Sequence, residues 1–113
     1  MAQARMMVMI AGPYSAPTPE GRAANLAALN RAATAVLARG HIPVIGVNAA
    51  LPALDAAGLA YSDPAMMEIS LALAARCDAV LQIGRSTGAD REVETIRALG
   101  CPVYRQVSEI PPA

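Results

Sequence analysis

At 113 residues the chain has the length of one domain, 1–113, and no linker or second core is marked in it. Its nine basic residues, all Arg, balance nine acidic ones; this gives no support for nucleic-acid binding or attraction to a membrane surface, and it leaves out every reaction that needs a lysine. A hydrophobic fraction of 55% beside 16% charged residues is high for a small domain with much surface, so a homo-oligomer interface is expected to cover part of it, with alanine bias as the plainer source of the same figure.

Met6 to Ala11 reads as a strand buried on both faces. Pro19 to Arg39 reads as a helix with Leu26, Leu29, Ala33, Val36 and Leu37 on one face and Gly40 as its cap. Ile42 to Val47 is the expected second strand, Pro43 lying near its start. Asn48 to Ser62 reads as irregular, with room for a short helix, and Asp63-Pro64 is a strong start signal for a helix running to about Arg76. Ala79 to Ile83, Ala89 to Leu99 and Pro102 to Gln106 then read as strand, helix and strand, with Ser108 to Ala113 as a tail. The repeated β-α-β spacing implies right-handed crossovers and a parallel sheet; the fold expected is a flavodoxin-like, doubly wound α/β sheet of four or five strands in the order 2-1-3-4, with helices on both faces.

No apolar stretch approaches the ~20 residues that span a bilayer, and the N-terminal apolar run of about five residues is shorter than a signal-peptide core. A cytoplasmic protein is expected, with Cys77 and Cys101 as buried reduced thiols in no metal spacing. His41 is the only histidine, so Ser-His-Asp and multi-histidine zinc schemes lack parts, and neither a metal nor a cofactor is expected.

Two glycine-containing loops carry the chemistry. The first strand leads into Gly12-Pro13-Tyr14-Ser15, and the third leads through Gly84-Arg85 into Ser86-Thr87-Gly88-Ala89, with Glu92 in the first turn of the helix that follows. If both strands are parallel neighbours, the loops meet at the carboxyl edge of the sheet, where open α/β folds bind ligands. Each residue also has a plainer reading. Glu92 and Asp90 suit a helix N-terminus as acids, Ser86 suits an N-cap, Tyr14 suits loop packing, and Arg22 and Arg85 are either phosphate grips or solvated surface charges. Asp78 reads as tying down a loop or ending a helix, and the methionines at 66 and 67 as core or interface.

Ile10 to Ser15, the run Cys77 to Leu81, and Ser86-Thr87-Gly88-Ala89 followed by Glu92 together resemble the nucleoside 2-deoxyribosyltransferase-like superfamily, over most of the chain and in order. The resemblance implies Glu92 as nucleophile on the anomeric carbon of a nucleoside or nucleotide, Tyr14 as its orienting partner, and Gly12, Ser86 and Gly88 as part of the sugar or phosphate cradle; Ser15 and Arg85 of the same loops are further candidate substrate contacts. A glycosyl ester on a carboxylate splits one hard displacement into two, as in retaining glycosidases.

In that family an aspartate precedes the third strand's own aspartate by eight positions, and counting back from Asp78 reaches Ser70. A serine cannot act as an acid near neutral pH, and Glu68 is turned about 200° away on the same helix. Ser70 is therefore expected to face the ligand without supplying a proton. With no Phe or Trp, only Tyr14, Tyr61 and Tyr104 are available to stack on a base. A related phosphoribohydrolase group also places a glutamate after a glycine-rich loop, but with a double-glycine run that this chain lacks. The expected function is N-glycosidic cleavage or deoxyribosyl transfer. The alternatives are a nucleotide-binding or sensing module without turnover, and a purely structural domain.

Overall fold

The computed structural model describes residues 4–113. In chain order it has strand β1 (Met7–Ala11), helix α1 (Pro19–Ala38), strand β2 (Ile42–Val44), helices α2 (Gly46–Ala57) and α3 (Pro64–Ala74), strand β3 (Ala79–Gln82), helix α4 (Thr87–Ala98), strand β4 (Val103–Tyr104) and a 3-10 turn at Val107–Glu109. All strand pairs are parallel and the order is β2-β1-β3-β4. Val8 and Ile10 of β1 pack with Leu29 and Val36 of α1 on one face. Met9 and Ala11 pack with Ala74 of α3 and Val93 and Ile96 of α4 on the other. Burial on both faces explains the unbroken apolar run of β1, each such side chain contributing roughly 1.5–3 kcal/mol. The architecture is the expected flavodoxin-like three-layer fold.

Local signals set several boundaries. Thr18 caps α1 by accepting the Gly21 N–H at 3.0 Å, and Asp63 caps α3 by accepting the Ala65 N–H at 2.9 Å, with proline first in each helix. Gly40, Gly58 and Gly100 follow helices with positive φ.

Several expectations need correction. The second strand stops at Val44, three residues earlier than the apolar run suggests, because β1 pairs with it only from Ile42 to Val44. Gly46 then opens α2, so most of the stretch read as irregular is a 12-residue helix that tolerates Pro52 in its interior. Its start is fixed by packing: a Cβ on Gly46 would sit 2.8 Å from the Ser70 Cβ of α3. The fourth helix begins at Thr87, two residues earlier than expected, which moves Glu92 from the first turn into the second.

Nor do the last residues form a loose tail. Ile110 is fully buried, Arg39 Nε donates to its carbonyl at 2.7 Å, and the Ala113 N–H donates to the Arg39 carbonyl at 2.9 Å. Leu37, expected on the buried face of α1, is 55% exposed, and the register partners Met7 and Ile42 are also exposed. Among the described residues no helix is long and apolar enough to cross a membrane.

Candidate functional site

The chain leaves β1 toward α1 on one face and leaves β3 toward α4 on the other, so a crevice opens between the carboxyl ends of these two adjacent strands. A cavity of about 300 Å³ lies there. The loops that form its base interlock. A Cβ on Gly12 would lie 2.7 Å from Ile83 Cγ1, and one on Gly84 would lie 2.9 Å from Pro13 Cδ. Packing of loop on loop therefore requires both glycines, whatever the ligand.

Side chains of α1 hold the first loop in place. Asn25 Nδ2 donates to the Tyr14 carbonyl at 2.9 Å, and Arg22 Nη1 donates to the Ala16 carbonyl at 3.0 Å. In the second loop Ser86 caps α4, its Oγ accepting the Ala89 N–H at 3.0 Å while its carbonyl accepts the Asp90 N–H at 2.8 Å. The first two N–H groups of the helix, on Thr87 and Gly88, have no intrahelical acceptor, and both residues line the cavity. A Cβ on Gly88 would meet only the flexible end of Met67, at 2.8 Å, so this glycine is less constrained than Gly12.

Glu92 reaches the cavity from the second turn of α4 and is only 7% exposed. Burial pushes its carboxyl up to about 8 from a usual value of 4.5, so it holds its proton at neutral pH. The helix N-terminus does little to oppose this, because its field fades beyond the first turn. Ser70, 3% exposed, faces the same cavity from α3. No hydrogen bond joins either side chain to another described residue, yet no fully enclosed side-chain oxygen or nitrogen lacks a partner. The Glu92 and Ser70 oxygens are therefore open to whatever fills the cavity.

Gly12, Tyr14, Ser15, Ser70, Ser86, Gly88 and Glu92 all line this one cavity, and Arg85 does not. The Arg85 side chain turns outward to an ion pair with Asp90 at 2.9 Å, in a separate hollow with Gln82, Arg97 and Arg105. Its guanidinium holds the Asp90 carboxyl below the usual range. Arg22 also stays outside the cavity, 4.5 Å over the Tyr61 ring. Among the described residues the cavity thus has no cationic side chain.

Asp78 ties strand to strand at the opposite edge, accepting the Met7 N–H at 2.8 Å. Cys77 is buried, its thiol pushed up to about 11 chiefly by burial and then by the neighbouring Asp78 and Glu92 carboxyls. Glu68 is exposed, as the helical spacing requires. Among the described residues no cluster of His, Cys, Asp or Glu could hold a metal.

Sequence reasoning missed the walls. Val47, Met66 and Met67 supply apolar lining and Thr87 adds an N–H and a hydroxyl, while Tyr61, a base-stacking candidate in the sequence, flanks Tyr14. Comparison of the chain with protein-family models, curated proteins and solved structures gave no match.

The lining combines hydroxyls, free N–H groups, two aromatic rings and thioethers around one carboxyl. Such a pocket suits a ligand with a polar, hydroxylated part and a flat apolar part. Its carboxyl donates a hydrogen bond when protonated and becomes a nucleophile when ionised.

Proposed function

We propose that the cavity takes a nucleoside or nucleotide and that Glu92 attacks the anomeric carbon of its sugar, giving N-glycosidic cleavage or deoxyribosyl transfer. The observation that carries this reading is the largely buried Glu92 carboxyl at the switch point, which opens onto the cavity and hydrogen-bonds no other described side chain or backbone group. The motif resemblance points the same way.

In the first step a bond forms between a Glu92 carboxylate oxygen and C1′. The bond from C1′ to the base nitrogen breaks, its electron pair leaves with the base, and the base takes up a proton from solvent water, which the incoming water or base nitrogen gives back in the second step. In the second step water, or the nitrogen of another base, displaces Glu92 from C1′. The free N–H groups of Thr87 and Gly88 and the surrounding hydroxyls bind and orient the sugar, and Tyr14 closes the wall beside it.

Ser70 favours a second reading. A hydroxyl stands where the resemblance calls for a carboxylic acid, so the same pocket would serve as a nucleoside- or nucleotide-binding or sensing module. In either reading the chain acts as a cytoplasmic homo-oligomer with the exposed Met7 and Ile42 in an interface, which sedimentation at micromolar concentration checks.

Incubation with a panel of deoxynucleosides and their monophosphates, followed by chromatography for free base, separates the readings. Base release supports hydrolysis, and a new nucleoside formed with added free base supports transfer. Calorimetric binding without release supports the module, and silence in both assays rejects the two readings together.

A further inference from the structure

The chain has three aromatic residues, and two of them touch at the edge of the cavity. The Tyr14 and Tyr61 ring centroids lie 5.7 Å apart at an interplanar angle of 82°, an edge-to-face contact of the favourable kind. On its other side Tyr61 meets Arg22, whose Cζ stands 4.5 Å from the ring centroid. The two rings also form one side of a second hollow of about 430 Å³, which Arg22 lines and which is shared with Leu26, Leu51 and Asp55. The tyrosine pair is therefore a partition, with the Glu92 cavity on one side and Arg22 on the other.

Arg22 and Asn25 are three positions apart on α1 and so share a face. Asn25 fixes the Tyr14 backbone through its carbonyl, and Arg22 fixes the next turn of the loop through the Ala16 carbonyl. Neither bond sets the Tyr14 ring. Tyr61 does that, and it comes from the segment 58–63 between α2 and α3, where Gly58, Leu59 and Ala60 are exposed. The Arg22 guanidinium over its face is therefore one restraint that α1 places on the Tyr61 ring.

We propose that Arg22, Tyr61 and Tyr14 work as one stack, in which Arg22 clamps Tyr61, Tyr61 holds the Tyr14 ring edge to face, and the Tyr14 hydroxyl is thereby presented to the ligand beside Glu92. Arg22 and Tyr61 are positioning residues for this site. The inference rests on the reading in which Tyr14 acts on the sugar or base, and the optical arm of its test does not depend on that reading.

Without Trp or Phe, the near-ultraviolet circular dichroism of this protein comes from tyrosine alone apart from weak backbone and thiol terms. Arg22→Gln and Tyr61→Leu should each remove the signal of the coupled pair, as Tyr14→Leu does. Tyr61→Phe should keep a coupled-ring signal, and Tyr104→Phe should leave the pair's band in place. Far-ultraviolet spectra and urea midpoints confirm that each variant is folded.

Arg22→Gln should lower kcat for base release from thymidine and 2′-deoxyadenosine about tenfold, with KM changed less. In a Tyr14→Phe background it should add nothing, because the hydroxyl it positions is gone. If neither nucleoside is turned over, the same cycle is read on their dissociation constants. An unchanged near-ultraviolet spectrum in Arg22→Gln overturns the stack whatever the activity. Losses from Arg22→Gln and Tyr14→Phe that multiply overturn its positioning role. Failure of both nucleosides to bind, with the optical change present, defeats the nucleoside reading and leaves the stack standing as the restraint on Tyr14.

Discussion

The two edges of the sheet bury polar groups equally well and treat them in opposite ways. At the amino edge His41 is fully buried, its Nδ1 accepting the Met6 N–H at 3.0 Å and its Nε2 donating to the Pro111 carbonyl at 2.6 Å. Those partners fix the tautomer, since the amide can only donate and the carbonyl can only accept. Asp78 and Arg39 are paired with backbone in the same region. At the carboxyl edge Glu92 and Ser70 are nearly as buried and have no partner. Burial alone therefore does not mark a site in this fold; polar atoms that open onto a cavity and leave it to supply their partners do.

Glu92→Gln tests the contrast hardest. In the enzymatic reading base release falls by several orders of magnitude while deoxynucleoside binding survives, because the amide keeps the shape and loses the attacking charge. Near wild-type release in this variant would sink the covalent mechanism. The wild-type pH profile follows from the same residue: with the carboxyl at about 8 in the empty site, kcat/KM should rise from pH 6 through a midpoint near pH 8 and level off about one pH unit above it. Stability should run the other way. The folded value lies above the unfolded one, so the native state keeps a proton that the unfolded chain has released between about 4.5 and 8. The contribution of this group is complete below that window and is lost as pH rises through it. At about 1.4 kcal/mol per pH unit the loss is on the order of a few kcal/mol, and Glu92→Gln should remove it from urea midpoints measured at pH 5 and pH 8.5.

Ser70→Asp sharpens the contrast by adding an acid to the carboxyl edge. General acid help is typically worth ~10²–10⁴ in rate, and the apolar surroundings that hold Glu92 protonated would do the same for a carboxyl at 70. Base release should rise on the order of 10²-fold or more, within that general-acid range. The close Gly46 contact leaves the new group only the cavity to enter, and folding stability should drop by about 1–3 kcal/mol. A folded variant that binds deoxynucleosides and shows no gain would favour the binding-module reading.

Much of the carboxyl edge was legible because its determinants are local. Apolar runs mark β1 and β3, glycines at 40 and 100 follow the helices that feed β2 and β4, and each loop carries its glycine, serine and tyrosine or glutamate in sequence. Their meeting follows from strand order alone. Long-range contacts hid the rest. The early end of β2 depends on Gly46 resting against Ser70, and Pro52 disguises α2 as a loop. Ile110 sits before two prolines and reads as tail, yet Arg39 and His41, some seventy positions earlier, bind its segment. Arg85 lies in the right loop and was misplaced because its direction is set by Asp90, one turn into α4. Asn25 and Tyr61 act through contacts that no local pattern encodes.

His41→Leu probes the satisfied edge. The leucine fills much of the space but leaves the buried Met6 N–H without an acceptor, which should lower stability by about 1–3 kcal/mol in urea unfolding and loosen the last residues. Base release per folded molecule should be unchanged. A fall in kcat at full folding would mean that the two edges are not separate in function.

Arg85→Ala carries the smallest expected effect and tests where the site ends. The side chain is 78% exposed and, among the described residues, its ion pair is with Asp90, a surface contact of the kind that seldom registers in stability. No change in urea midpoint is expected, nor any change in KM for deoxynucleosides, since the cavity wall does not include this residue. Monophosphates make the comparison informative. A phosphate lodged at the free Thr87 and Gly88 N–H groups would lie within the cavity and leave Arg85 uninvolved, so monophosphate KM should also hold. A rise in KM confined to monophosphates would show that the ligand extends past Ser86 into the arginine-lined hollow beyond β3, and the site would then include the residue that the cavity alone leaves out.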